Sequence, residues 1–323
     1  MNVALVLGKK CNLHCKYCNN HTMNIAEDCD VTDIALMYMQ AVADKILYYG
    51  GEPLLYWDDI VKTVEYCPDA KHITFTNGKI LNSDKVRYCN EKNIKVMVSY
   101  DGENSEETRG YNALKSNRSN IIMLNDLVIY SVITTKNYIK GVLDELAELE
   151  KEYYDIHGYY FQINLAPLKP AKYTVGLDNF DYQRVNDEIN EVIAGYDTND
   201  TYKVYLDGLF EIFSQGVRGN ELFCGFGSYY VAIDRKGNYF PCQGYDTVIG
   251  NVINTSIADV MDLSAYDQYP ERYTERCAEC TALELCKNGC NCYKEDELFV
   301  FCMLRRVLYT PIIQFFKSKM GLG

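Results

Sequence analysis

The chain has 323 residues, enough to bury a sizeable core in one large domain or two ordinary ones. Its net charge of −13 argues against nucleic-acid binding, which draws most of its affinity from a basic field, and makes polar or basic peptides and small molecules the easier partners. No apolar run reaches bilayer-spanning length and the start lacks the pattern of a signal peptide, so no membrane association and a cytoplasmic location are expected.

In chain order, "VALVLG" reads as a strand, and "DVTDIALMYMQAVA" as an amphipathic helix with Asp30 or Thr32 as its cap. "DKILYYGGEP" is a strand running into a glycine turn, and "WDDIVKTVEYC" is a helix. "KHITFTNG" is a strand that stops at Asn77-Gly78, and "SDKVRYCNEKN" is a helix. "IKVMVSYDG" and "DLVIYSVIT" are strands, "IKGVLDELAELEKEYY" is a helix and "GYYFQINLAPL" a further strand. Strands alternating with helices suit parallel pairing through crossover helices. The expected fold class is α/β: a partial (β/α)6 TIM-like barrel over residues 1–175. Chemistry in such folds sits at the C-terminal ends of the strands. The polar signals fall there: a cysteine loop after the first strand, Gly50-Gly51-Glu52 after the second, Thr76-Asn77 after the third and Ser99 to Gly102 after the fourth.

Helical stretches around residues 178–195 and 202–216 make a helical linker over 176–222. From Cys224 the chain turns rich in Cys, Gly and Tyr, with a hairpin signal in "YYVAIDRKGNYFPC". The last segment, "LFVFCMLRRVLYTPIIQFF", reads as a helix broken near Pro311. Residues 223–323 are therefore expected to form a second, smaller Cys-rich domain.

Fourteen cysteines are many for a cytoplasmic chain, where disulfides are rare, so metal or catalytic use is the better prior. Cys11, Cys15 and Cys18 form one group, "CNLHCKYC". Three thiolates at this spacing can hold three corners of an iron–sulfur cube and leave one iron open, whereas such clusters normally take four. A zinc ion needs a fourth ligand, which His14 or His21 can supply. A disulfide strands the third thiol, and plain buried thiols are the bland alternative. In the second group, Cys277 and Cys280 form a CxxC pair followed by Cys286, Cys290 and Cys302, with Cys224 and Cys242 before them. That pattern is metal binding and fits two sites.

The CxxxCxΦC spacing, with Tyr17 as the aromatic, and the glycine–glycine–acid stretch about 30 residues on resemble the radical S-adenosylmethionine (SAM) enzymes. The resemblance implies that Cys11, Cys15 and Cys18 hold a 4Fe–4S cluster whose open iron chelates SAM. It implies that Gly50, Gly51 and Glu52 meet the methionine amino group, since glycines allow close backbone approach and a carboxylate suits an ammonium. Ser99 and Arg109 resemble the residues near the SAM carboxylate and ribose. Thr76 and Asn164 are expected on the same face, and Tyr17 against the adenine or in the core. No catalytic acid or base is assigned.

The second field, C…GxxxxC…CxxCxxxxxCxxxC…C with Gly237 as the glycine, resembles the SPASM domain. That implies two auxiliary 4Fe–4S clusters: an outer one on Cys277, Cys280, Cys286 and Cys302, and an inner one on Cys224, Cys242 and Cys290. The inner set lacks an additional cysteine that fuller relatives carry, so an open iron or completion by Cys292 both stand. Proteins of this kind mostly modify peptides and proteins. The resemblance therefore implies a ribosomal precursor peptide or protein as substrate and an electron donor such as flavodoxin or ferredoxin. Oxidative cross-linking is the expected outcome, with C–C, C–O or thioether bonds; side-chain oxidation of the sulfatase-maturing type and epimerisation are the alternatives. Gln243 stands where the sulfatase-maturing branch has an aspartate base; an amide cannot act as one, although Asp246 is close in sequence. Only ten residues precede Cys11, so peptide recognition is expected on the barrel and SPASM surfaces or on a separate recognition protein. A non-catalytic metal-binding interaction protein is the alternative of a different class; the glycine–glycine–acid stretch argues against it, because a structural site needs no cofactor pocket.

Overall fold

The structure, a computed structural model, describes residues 1–18, 29–167, 180–215, 228–244, 247–262, 275–286 and 295–322. The N-terminal part alternates β1 (Asn2–Val6), α1 (Asp33–Val42), β2 (Lys45–Tyr49), α2 (Trp57–Tyr66), β3 (Lys71–Thr76), α3 (Ser83–Glu91) and β4 (Lys95–Ser99). Then come two short helices, α4 (Ser105–Arg109) and α5 (Ala113–Ile121), β5 (Leu127–Ile133), α6 (Ile139–His157) and β6 (Gln162–Pro167). The helices start where short polar side chains satisfy free backbone N–H groups: Thr32 accepts from Ala35 N at 3.4 Å and Asn82 from Lys85 N at 3.0 Å. The short helices α4 and α5 are not expected from the sequence. Their residues are mostly polar and carry no apolar stripe for periodicity to reveal.

Strands β1 to β6 pair in parallel and in order, each joined to the next by a crossover connection. Even-numbered side chains of β2, β3 and β4 and odd-numbered ones of β1, β5 and β6 face the helices. Leu5, Ile46, Val96 and Ile129 are fully buried there, each worth about 1.5–3 kcal/mol of apolar burial. The opposite, concave face carries Tyr49, Phe75, Met97, Ser99, Tyr130 and Asn164.

Helices α7 (Tyr182–Ala194) and α8 (Asp200–Ser214) follow, and both pack on α6. Beyond them β7 (Tyr230–Asp234), β8 (Asn238–Phe240) and β9 (Gly250–Asn251) form antiparallel pairs, and β7 pairs in parallel with β1. One nine-stranded sheet results, in the order β6-β5-β4-β3-β2-β1-β7-β8-β9. It therefore continues across the expected domain boundary. It does not close, because β6 and β9 lie at opposite ends. The expected hairpin turns at Gly237, whose φ is +79° and where a Cβ would stand 2.4 Å from Val252 Cγ2.

The chain ends with α9 (Ile257–Met261), α10 (Glu275–Ala278), α11 (Leu283–Cys286) and α12 (Glu295–Lys319). Contrary to expectation, α12 is unbroken at Pro311. Proline there costs about 3 kcal/mol. The stripe of Leu304, Leu308, Ile312 and Phe316, all at most 2% exposed, outweighs it at about 1.5–3 kcal/mol per side chain. Among the described residues no helix is long and apolar enough to cross a membrane.

Candidate active site

The cysteine loop leaves β1 through Gly8 and is stitched down on two sides. On one side Lys10 N donates to Tyr56 Oη at 2.9 Å, and Gly51 N and Glu52 N donate to the carbonyls of Gly8 and Lys10, both at 2.9 Å. On the other side Lys16 N donates to Thr108 O at 2.9 Å, and the Cys15 thiol lies 3.9 Å from Arg109 O. The loop is thus suspended between the β2 turn and α4.

The glycine pair is tightly packed against the loop. A Cβ on Gly51 would stand 2.3 Å from Lys10 O, and one on Gly50, at φ +144°, 2.5 Å from Gly8 O. The cysteine loop's own backbone makes a close approach that demands glycine at both positions.

The Glu52 carboxylate is also committed internally. It is 1% exposed. Oε1 accepts from Thr76 Oγ1 at 2.8 Å and Leu54 N at 3.1 Å, and Oε2 from Asn77 N at 2.8 Å. Burial pushes its pKa up to about 7 against the pull of these donors. The carboxylate is thus turned toward Leu54, Thr76 and Asn77. Asn77 continues the network, donating through Nδ2 to Asn12 Oδ1 at 2.7 Å, with Cys11 Sγ 4.0 Å away.

Thr76 does not share a face with Asn164. It follows His72 and Thr74 on the helix-facing side of β3, buried at 2% exposure, because side chains alternate with period two; Phe75 takes the concave face. Ser99 and Asn164 do share a face, flanking Tyr130 in register on β5. Phe75 joins the row, stacked on Tyr49 at 4.5 Å and edge-on to Tyr130 at 6.0 Å.

Arg109 is 7% exposed, and its guanidinium is held by Asp101 rather than presented to the concave face. Burial alone would lower its pKa; Asp101, together with Tyr17 and Cys15, more than offsets that and keeps it cationic. Tyr17 places its ring 5.3 Å from the guanidinium and donates its hydroxyl to Asp101 Oδ2. Asp101, fully buried, is a hub that sequence reasoning misses. It also accepts from Thr108 Oγ1 at 3.0 Å and Val132 N at 3.1 Å. In the sequence it looks like one residue of a turn, and so does Asn77.

The three loop thiols are partly exposed. Burial raises the pKa of Cys15 to about 11 and that of Cys11 by less, and the neighbouring thiols push in the same direction. Thiols close enough to oppose one another's ionisation suit a shared cation, whose binding would expel their protons. Among the described residues no three His, Cys, Asp or Glu side chains gather around one ion-sized point.

In the second field, burial and the thiols of Cys286, Cys277 and Cys280 together raise the pKa of Cys302. Of the expected outer ligands, Cys277 lies on α10, Cys280 in the turn after it, Cys286 on α11 and Cys302 on α12. Cys242 lies at the concave face beside Tyr49, with Gly244 N 3.3 Å from its sulfur. Gln243 accepts from the Tyr230 hydroxyl. Cys224, Cys290 and Cys292, like His21 and Asp246, lie outside the described residues.

Residues 224–291 match SPASM, an iron-sulfur cluster-binding domain. The radical SAM cyclopropyl synthase TigE of Paramaledivibacter caminithermalis is 20% identical over 89% of this chain and 67% of its own length. A cysteine-type anaerobic sulfatase-maturating enzyme of Clostridium novyi is 21% identical over 89% of this chain and 87% of its own. The chain thus carries a SPASM match and is similar along most of its length to radical SAM enzymes. Its fold superimposes on the native anSMEcpe structure with bound AdoMet and Kp18Cys peptide, with a TM-score of 0.71, 18% identity and 99% of each chain covered. Radical SAM enzymes with SPASM domains use S-adenosylmethionine and 4Fe–4S clusters, and the partly exposed loop thiols and the partly exposed Cys277, Cys280, Cys286 and Cys302 are donors of the right chemistry.

Proposed function

We propose that the chain is a peptide maturase that abstracts a hydrogen atom from a residue of a ribosomal precursor peptide and yields an oxidative cross-link. The observation that carries this is the cysteine loop braced at the carboxyl end of β1, beside a concave face that β7 and β8 extend toward the second cysteine field. In this reading Cys11, Cys15 and Cys18 hold the first cluster. Cys277, Cys280, Cys286 and Cys302 hold the outer auxiliary cluster, and Cys224, Cys242 and Cys290 the inner one. When bound, the first cluster and SAM supply a 5′-deoxyadenosyl radical.

The remaining work belongs to the chain's own side chains. Glu52, Asn77 and the Gly50-Gly51 turn fix the loop on the β2 and β3 side. Asp101, Arg109 and Tyr17 fix it on the β4 side. Ser99, Tyr130 and Asn164 face the open side, where nucleoside and peptide would lie. The barrel of residues 1–175, the linker of 176–222 and the SPASM part of 223–323 act as one surface, since β7 is built onto β1. A flavodoxin or ferredoxin would deliver the electron in the cytoplasm, and a separate recognition protein would supply any leader binding the two surfaces do not.

Sulfatase-type oxidation is disfavoured by Gln243, an amide held by Tyr230 where that chemistry needs a base. Reconstituted protein should hold about 8–12 iron atoms for two or three clusters and release 5′-deoxyadenosine from SAM under reduction. Zinc alone, with no cleavage, would sink the enzyme reading. A peptide encoded nearby and co-expressed should lose the mass of two hydrogens. An unchanged mass with deuterium uptake from solvent would point to epimerisation instead.

A further inference from the structure

Arg305 lies on α12 one turn beyond Cys302. It is 6% exposed. Its Nη1 donates to Cys286 O at 2.9 Å and stands 3.3 Å from Cys286 Sγ. The rings of Phe301 and Tyr309 cover it, with centroids at 4.1 and 5.9 Å.

A buried cation is costly unless negative charge lies against it. The Cys286 thiol beside it, as one expected ligand of the cluster, becomes that charge when it is deprotonated and metal-bound. We infer that Arg305 sets the reduction potential of the outer auxiliary cluster, poising it to accept an electron. This rests on the ligand assignment given above.

The physics is directional. One-electron reduction adds one negative charge to a cluster already bound by four thiolates. A fixed cation and an N–H donor at one ligand sulfur stabilise the more negative state and raise the potential. Arginine stays protonated at any working pH, so no proton accompanies the electron. The oxidised cluster gains one electron and the reductant loses one; in the assay the reductant is dithionite.

The test uses the full-length chain with Cys11, Cys15, Cys18 and Cys242 changed to alanine, so that only the outer cluster remains. R305Q and R305K are compared in that background by iron content and by redox titration followed by electron paramagnetic resonance. R305Q should keep its iron, while its equilibrium constant for reduction falls about tenfold, a 59 mV drop for a one-electron couple. R305K keeps the charge but loses the planar fork and should fall between R305Q and the parent. A midpoint unchanged in whichever variant retains its iron overturns the role of Arg305 and leaves a packing residue. C302A made in the same background should abolish the cluster. If it removes no iron, the ligand assignment is wrong, and the role of Arg305 falls with it.

Discussion

Arg109 grips Asp101 with two parallel hydrogen bonds, Nε to Oδ2 at 2.8 Å and Nη2 to Oδ1 at 3.0 Å. The pair lies directly behind the cysteine loop. The same carboxylate takes the Tyr17 hydroxyl, and the Arg109 carbonyl faces the Cys15 thiol. The fork-to-fork geometry fixes direction as well as distance. It ties the loop that carries the first three cysteines to the ends of β4 and β5.

D101N should break that tie. It leaves the Arg109 charge buried without its counter-ion, a loss of about 3–5 kcal/mol for one partner of a buried pair. Reconstituted D101N should melt earlier than the parent and bind about four fewer iron atoms per chain. The outer cluster, far along the chain, should remain. Full iron and an unchanged melting temperature would show that the loop does not depend on this brace.

G51A should displace the loop, because the new methyl group would meet Lys10 O at 2.3 Å. Backbone atoms cannot swing aside as a side-chain tip can. The expected result is loss of 5′-deoxyadenosine release by at least tenfold, with reduced iron. G208A is the control. It lies within α8 with nothing within 4 Å of its would-be Cβ and should gain about 0.5–1 kcal/mol from helix propensity alone.

Glu150 on α6 supplies a pH dependence away from the cysteines. It is 1% exposed and accepts from Thr201 Oγ1 on α8. Burial raises its pKa from 4.5 to about 7, opposed by the Thr201 bond. The folded state therefore holds this proton more tightly than the unfolded chain does. The resulting stability is fully present below about 4.5 and is lost as the pH rises through about 7, by up to about 3 kcal/mol. E150Q, which keeps an acceptor without the charge, should flatten that decline. Urea unfolding at pH 5 and pH 8 measures it; equal pH dependence in parent and variant would contradict it.

P311A should stabilise α12. The parent helix lacks the bond from residue 311 N to Val307 O, and alanine restores a donor in a helix that is already continuous. A gain of about 1–3 kcal/mol is expected, read as a rise in the thermal midpoint. A fall would mean that the ring fills space the methyl group cannot.

The strands and their order are legible because each is a short apolar run bounded by turn residues, and the intervening helices carry apolar stripes. The two cysteine groups are legible because ligand chemistry is written in local spacing. Asp101, Asn77 and Asn12 are not, because each bonds a residue far along the chain or a backbone group whose position depends on the fold. Thr76 is misplaced by one position on β3, and period two turns that single step into the opposite face.

By itself the sequence determined roughly where each strand runs and where the two cysteine groups fall, since periodicity and cysteine spacing are short-range properties. Only the tertiary structure decided what those residues touch. It gave Glu52, Arg109 and Tyr17 partners that brace the loop, because buried charges and hydroxyls must find partners wherever the fold provides them. It also carried the sheet from β1 into β7, a pairing between residues more than two hundred positions apart that no local pattern encodes.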